Sequence, residues 1–163
     1  MSESFYDTAQ ICLNGHLVNN NFHLYPAHNQ RHCKTCGEAT ITQCASCGAE
    51  IRGSYEVPGV AQMGAPGPPP NFCHQCGHAY PWTERRIEAA KYLAEEFDQL
   101  DEAEIRKLKG TLDDLVRETP NSELAGTRFK KLMAKAGKES LTAMKGILTD
   151  IVSDTVRKSL FGG

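Results

Sequence analysis

The sequence predicts an α+β protein: a small double zinc ribbon of short β-hairpins and knuckles over residues 1–82, then a helical region of about four helices over residues 83–163. Three observations carry this. All seven cysteines and all six histidines lie before Trp82. Every proline except Pro120 does so too. From Thr83 onward, apolar residues recur at the spacing of an α-helix. Charge changes at the same place: residues 1–83 hold 3 Lys+Arg and 5 Asp+Glu, and residues 84–163 hold 15 of each.

The ribbon expectation starts from one pattern met three times: Cys33-Lys34-Thr35-Cys36-Gly37, Cys44-Ala45-Ser46-Cys47-Gly48 and Cys73-His74-Gln75-Cys76-Gly77. Two intervening residues bring both sulfurs to one metal ion. The following glycine supplies the left-handed backbone of a tight knuckle and turns N–H groups toward the thiolates. Three knuckles give six ligands, and two tetrahedral sites need eight. Cys12-Leu13-Asn14-Gly15-His16 completes the count with a cysteine, an Asn-Gly turn and a histidine.

Chain order groups Cys12, His16, Cys33 and Cys36 in one site and Cys44, Cys47, Cys73 and Cys76 in the other. A second grouping joins Cys33 and Cys36 to Cys44 and Cys47, leaving the outer pairs to form the other site. His23, His28, His32, His74 and His78 compete with His16 for the eighth position. His16 is preferred because it completes a set with Cys12, the otherwise unpaired cysteine. The expected cofactors are two structural Zn2+ ions, since four protein ligands leave no open position for water or substrate. In so short a segment the metal replaces a hydrophobic core. Redox chemistry by the Cys-x-x-Cys pairs would call for a βαβ context that is not readable here.

Residues 1–9 read as a loose lead-in. Ala39–Gln43 and Glu50–Val57 read as short strands. Pro58–Asn71, with Pro68-Pro69-Pro70 near its end, reads as an exposed loop, either a spacer or a ligand for a partner.

Four helices follow. Thr83 caps the first, with Ile87, Ala90, Ala94 and Phe97 as its stripe and Leu93 and Leu100 beside it. Asp101 and Glu104 form a capping box for the second, whose stripe is Ile105, Leu108, Leu112, Leu115 and Val116, with Pro120 as its end. Asn121 or Ser122 starts the third, which carries Ala125, Phe129, Leu132 and Met133 and stops near Gly137. The fourth runs from about Glu139 to Leu160 with Leu141, Met144, Leu148, Ile151, Val152 and Thr155 inward. Asp150 and Asp154 interrupt its basic residues, which favours a protein-facing over a lipid-facing role.

Several function classes are disfavoured. The formal net charge of -2 does not suit a general nucleic-acid binder. Three basic and five acidic residues, seven thiolates and two divalent ions leave the metallated module at about -5, which repels phosphate. Arg31, Lys34 and Arg52 with Tyr55 or Trp82 form the nucleic-acid alternative. Packing of Trp82 between the last knuckle and the first helix competes with it. No metalloprotease, phosphate-loop, nucleophile-elbow or zinc-deaminase motif occurs, so a non-enzymatic role is expected. No secretory leader or membrane span is read, and reduced thiols indicate a cytoplasmic protein. The amphipathic helices are the expected surface for a protein partner or for self-association.

Ile11-Cys12-Leu13-Asn14-Gly15-His16, the run Cys44–Gly53, and Phe72-Cys73-His74-Gln75-Cys76-Gly77 followed by Tyr80-Pro81-Trp82-Thr83 resemble a known family. It is the uncharacterised bacterial double zinc-ribbon family, domain of unknown function 2321. The resemblance implies eight zinc ligands, a bacterial cytoplasmic setting and a helical continuation, and it implies no activity.

Overall fold

A computed structural model describes residues 2–162; Met1 and Gly163, the outermost positions of the two expected regions, lie outside the described residues. The chain divides into two compact units, Met1–Glu84 and Arg85–Gly163, with the division falling inside the first helix.

The first unit has two small antiparallel sheets. Strand β1 (Phe5–Thr8) pairs with β5 (Arg52–Glu56), and β2 (Gln10–Cys12) lies between β3 (Leu17–Asn19) and β4 (Thr40–Ile41). The expected lead-in is therefore largely strand. Its partner is more than forty residues away, so no local turn signal announces it. Tyr6 pairs with Tyr55 and Thr8 with Arg52, with a register irregularity between Tyr6 and Thr8. Asp7 is buried there. Its Oδ1 accepts from the His23 N–H at 3.1 Å and its Oδ2 from the Leu24 N–H at 3.1 Å, tying down the loop after β3.

A compact cluster of Ala9, Ile11, Ile51, Tyr80 and Trp82 fills the unit together with Cys44 and Cys73. Tyr80 and Trp82 stack at 4.7 Å, and Trp82 Nε1 donates to the Pro70 carbonyl at 2.9 Å. Gly15, at φ +90°, packs on Trp82: a Cβ there would sit 2.9 Å from that side chain. Helix α1 (Pro81–Glu95) starts at Pro81, two residues before the expected cap. Proline suits a first helical position, its missing N–H being unpaired there anyway. Thr83 is buried and donates to the Asn71 carbonyl at 2.8 Å, so it anchors the preceding loop.

The second unit continues with α2 (Glu102–Arg117), α3 (Ser122–Ala136), α4 (Lys138–Leu148) and α5 (Asp154–Phe161). The capping box at Asp101 and Glu104 is present in both directions. Helix α2 ends at Arg117, before Pro120, because Glu118 takes a left-handed conformation (φ 51°) and closes it. Leu108, Leu112 and Leu115 of α2 face Ala125, Phe129 and Met133 of α3, which also packs on α4 and α5.

Beyond α3 the expected single helix is two helices. The Ser153 hydroxyl accepts from the Val156 N–H at 3.2 Å and opens a new helix after a turn at 149–152. The restart changes the phase. Val156 and Leu160 point inward, and Thr155, expected inward, is exposed. Among the described residues no helix is long and apolar enough to cross a membrane.

Candidate metal centres

The three knuckles share one backbone geometry. In each, the glycine N–H donates to the carbonyl of the first cysteine: Gly37 to Cys33 at 2.7 Å, Gly48 to Cys44 at 2.8 Å and Gly77 to Cys73 at 2.9 Å. The N–H of each first cysteine donates 2.8 Å to the carbonyl five residues on. The glycines sit at φ +76°, +78° and +78°, where a side chain is strained. Cys12–His16 is a shorter relative. Gly15 donates to the Cys12 carbonyl at 2.8 Å, Cys12 donates to the His16 carbonyl at 3.0 Å, and the glycine precedes the second ligand.

These turns bring the eight side chains into two groups. Cys12, His16, Cys33 and Cys36 form one, and Cys44, Cys47, Cys73 and Cys76 the other, with all ligand atoms of each group within 4.8 Å of one another. The knuckles are thus grouped in chain order. Cys12 Sγ lies 3.7 Å from Cys36 Sγ and 3.4 Å from His16 Nδ1, and Cys33 Sγ lies 3.6 Å from the same nitrogen. In the second group Cys44 Sγ is 3.7 Å from Cys76 Sγ, and Cys47 Sγ is 3.7 Å from Cys73 Sγ. Four sulfurs at ~2.3 Å from a central ion lie ~3.8 Å apart, and a sulfur and an imidazole nitrogen ~3.5 Å apart. The separations match a tetrahedron around an ion and are far too long for the ~2.05 Å of a disulfide. The donor sets fit a four-coordinate metal.

Electrostatics reinforce this. Burial pushes the Cys33 thiol up, but the N–H groups of Cys36 and Thr35 outweigh it and hold it at about 6. The Cys76 N–H similarly brings Cys73 down to about 6, against the opposing effect of burial. Within the same groups other thiols rise. The Ala49 N–H favours the Cys47 thiolate, yet burial and the neighbouring sulfurs push it up to about 12. Cys12 is raised by burial first. Three sulfurs in the first group and four in the second, this close, cannot all be anionic without a cation among them, and a divalent ion removes that conflict.

Outer partners add direction. Asn14 Nδ2 donates to Cys36 Sγ at 3.5 Å, and the His16 N–H to Cys12 Sγ at 3.3 Å. Burial, then the charge on Cys73, pushes the Tyr80 hydroxyl well above its ordinary value. Sequence reasoning treated Asn14 only as part of a turn and gave Tyr80 no role. The signal for Tyr80 was its place four residues after a ligand, in an aromatic Tyr-Pro-Trp run. In each knuckle the first cysteine is buried and the second exposed. His23, rejected as a ligand, lies instead 3.1 Å from Glu50.

A family described as an uncharacterized protein conserved in bacteria (DUF2321) matches residues 5–160. The chain belongs to this family. The match spans both units, so the helices are as much part of the family as the cysteine turns. No curated protein matches the chain, and no solved structure does.

Proposed function

We propose that this member of the family is a non-enzymatic adaptor, with two structural zinc ions and a protein-binding surface on its first unit. Zinc fits the donor chemistry. It prefers tetrahedral sulfur and nitrogen sets, and tetrahedral thiolate sites are otherwise typical of iron. Two zinc ions per chain by elemental analysis is the expected result; iron in their place would overturn the assignment. Four protein ligands per ion leave no coordination position for a substrate, which supports a structural role.

The observation that carries the adaptor reading is where apolar surface is left uncovered. The stripes of α2 to α5, expected from sequence to meet a partner, are largely spent on one another. In the first unit Tyr6, Tyr25, Tyr55, Val60 and Met63 are exposed and line one cleft of about 700 Å³. Met63 is 95% exposed, far beyond what a methionine with a packing role shows. Asn20, Ser54, Asn21 and Glu56 are hydrogen-bonded to one another along the same cleft, so it is a built surface.

Affinity purification from the native bacterium tests this. Tyr6→Ser with Tyr55→Ser is expected to remove the co-purifying protein while zinc content and circular dichroism stay unchanged. Retention of the partner by that variant would refute the assignment of the surface.

One observation favours nucleic acid as a second reading. The Arg52 guanidinium lies 4.6 Å from the centre of the Tyr6 ring, whose neighbour Tyr55 is 4.8 Å away, a pairing that can stack a base. The negative charge of the metallated unit opposes it. Salt-dependent binding of single-stranded RNA or DNA, lost in Arg52→Gln, would favour this reading over the first.

A further inference from the structure

We propose that a cleft on the helical unit, where α2 meets the start of α3, binds a phosphate monoester carried on a sugar, either free or within a nucleotide. This site is separate from the aromatic cleft of the first unit and does not depend on the adaptor reading.

The cleft holds about 350 Å³, at the lower end of small-molecule sites. Arg106, Lys107 and Arg128 line it. None of the three makes an ion pair among the described residues, whereas Lys109 and Lys135 on the same two helices do. One carboxylate, Asp114, faces the same space. Its Oδ1 accepts from Thr119 Oγ1 at 3.1 Å, and its Oδ2 has no hydrogen bond among the described residues.

Three cations and one carboxylate leave the cleft at about +2, which complements a phosphate monoester of roughly -2 at neutral pH. A phosphodiester carries half that charge per group. The two arginines suit forked contacts to phosphate oxygens. The free oxygen of Asp114 is placed to accept from a sugar hydroxyl, as carboxylates do toward ribose elsewhere. Leu124, 49% exposed, and Ala125 give the cleft an apolar wall. Gly110 leaves it open: a Cβ there meets nothing within 4 Å, so a side chain would occupy the space.

Calorimetric titration of the metal-loaded full chain, in a buffer free of phosphate, tests the site with ribose 5-phosphate, AMP, adenosine and inorganic phosphate. Ribose 5-phosphate and AMP are expected to bind one per chain with Kd on the order of 1 mM or tighter. Adenosine is expected to give no heat. Arg106→Gln and Arg128→Gln should each weaken both phosphorylated ligands about tenfold, and Gly110→Leu should abolish binding. Glutamine and leucine are good helix formers, so unchanged helical circular dichroism separates lost binding from lost fold. Asp114→Asn should weaken ribose 5-phosphate and leave inorganic phosphate unaffected. Absence of saturable binding, unweakened binding by both Arg106→Gln and Arg128→Gln, or equal affinity for adenosine would overturn the proposal. Indifference of ribose 5-phosphate to Asp114→Asn would overturn the sugar half of it.

Discussion

The two units bury similar lengths of chain by different means. In the helical unit the interior is hydrocarbon: Leu108, Leu112, Phe129, Met133, Met144 and Leu148 are all nearly inaccessible. In the first unit four of the buried residues are the ligands Cys12, Cys33, Cys44 and Cys73, and the strands are only two to five residues long. A segment of about eighty residues with so little apolar material is marginal alone. Coordination takes the place of the missing oil. That substitution leaves Tyr6, Tyr25 and Tyr55 at the surface, whereas the helices use most of their large apolar side chains internally.

The strongest way to break this contrast is to remove the metal. Structural zinc contributes on the order of 10 kcal/mol per site to small metal-folded domains. A strong chelator is therefore expected to unfold residues 5–84 while the helical signal of residues 85–162 largely persists. Amide dispersion in nuclear magnetic resonance spectra, read beside far-ultraviolet circular dichroism, checks this. Simultaneous loss of both signals would show that the units share one cooperative transition.

The converse prediction is smaller. Phe129 is fully buried in α3 and meets Phe161 edge-on at 5.9 Å. Phe129→Ala should cost about 3–5 kcal/mol, reducing the denaturant midpoint of the helices. Metal content should stay at its original stoichiometry. Loss of metal in this variant would contradict separate sources of stability.

What could be read in the sequence follows the same division. Metal ligation is written in short spacings, so the knuckles, and Cys12 with His16, were legible before any coordinates. The capping box at Asp101 and Glu104 was legible for the same reason: cause and effect lie three residues apart. Strand β1 was hidden because Phe5-Tyr6-Asp7-Thr8 has neither glycine nor proline to bound it and pairs with residues 52–56. The break between α4 and α5 was hidden because Ile151 and Val152 continue the apolar spacing through the turn. The cue was Ser153, which reads as an ordinary helix residue unless its hydroxyl is seen capping Val156. Ser153→Ala tests that cue. It should cost about 1 kcal/mol in the helical unit, with a small fall in helicity and unchanged metal content. An unaltered melting temperature would mean that the turn at 149–152, not the cap, starts α5.

The smallest expected effect is electrostatic and again confined to the helices. Lys135 Nζ lies 2.7 and 2.8 Å from Glu104 Oε1 and Oε2, and Oε2 also accepts the Asp101 N–H at 3.0 Å. Lys135, then the Asp101 N–H, holds the Glu104 carboxyl below its ordinary 4.5, and Glu104 raises Lys135 above its ordinary 10.5. A depressed carboxyl stabilises the fold above its unfolded value, and that contribution disappears as pH falls through the folded value. A raised ammonium stabilises below its unfolded value and loses its effect as pH rises through the folded one. The pair is fully effective between those limits. Because it is exposed, salt screens it and the contribution is small. Glu104→Gln isolates the charge, since glutamine still closes a capping box through its amide oxygen. The melting temperature of the helical unit should fall slightly in this variant at pH 7, and the gap should narrow as pH falls below the ordinary carboxyl value or as salt is added. A gap that ignores both pH and salt would assign the effect to the cap, leaving the ion pair between α2 and α3 with no measurable part in holding them together.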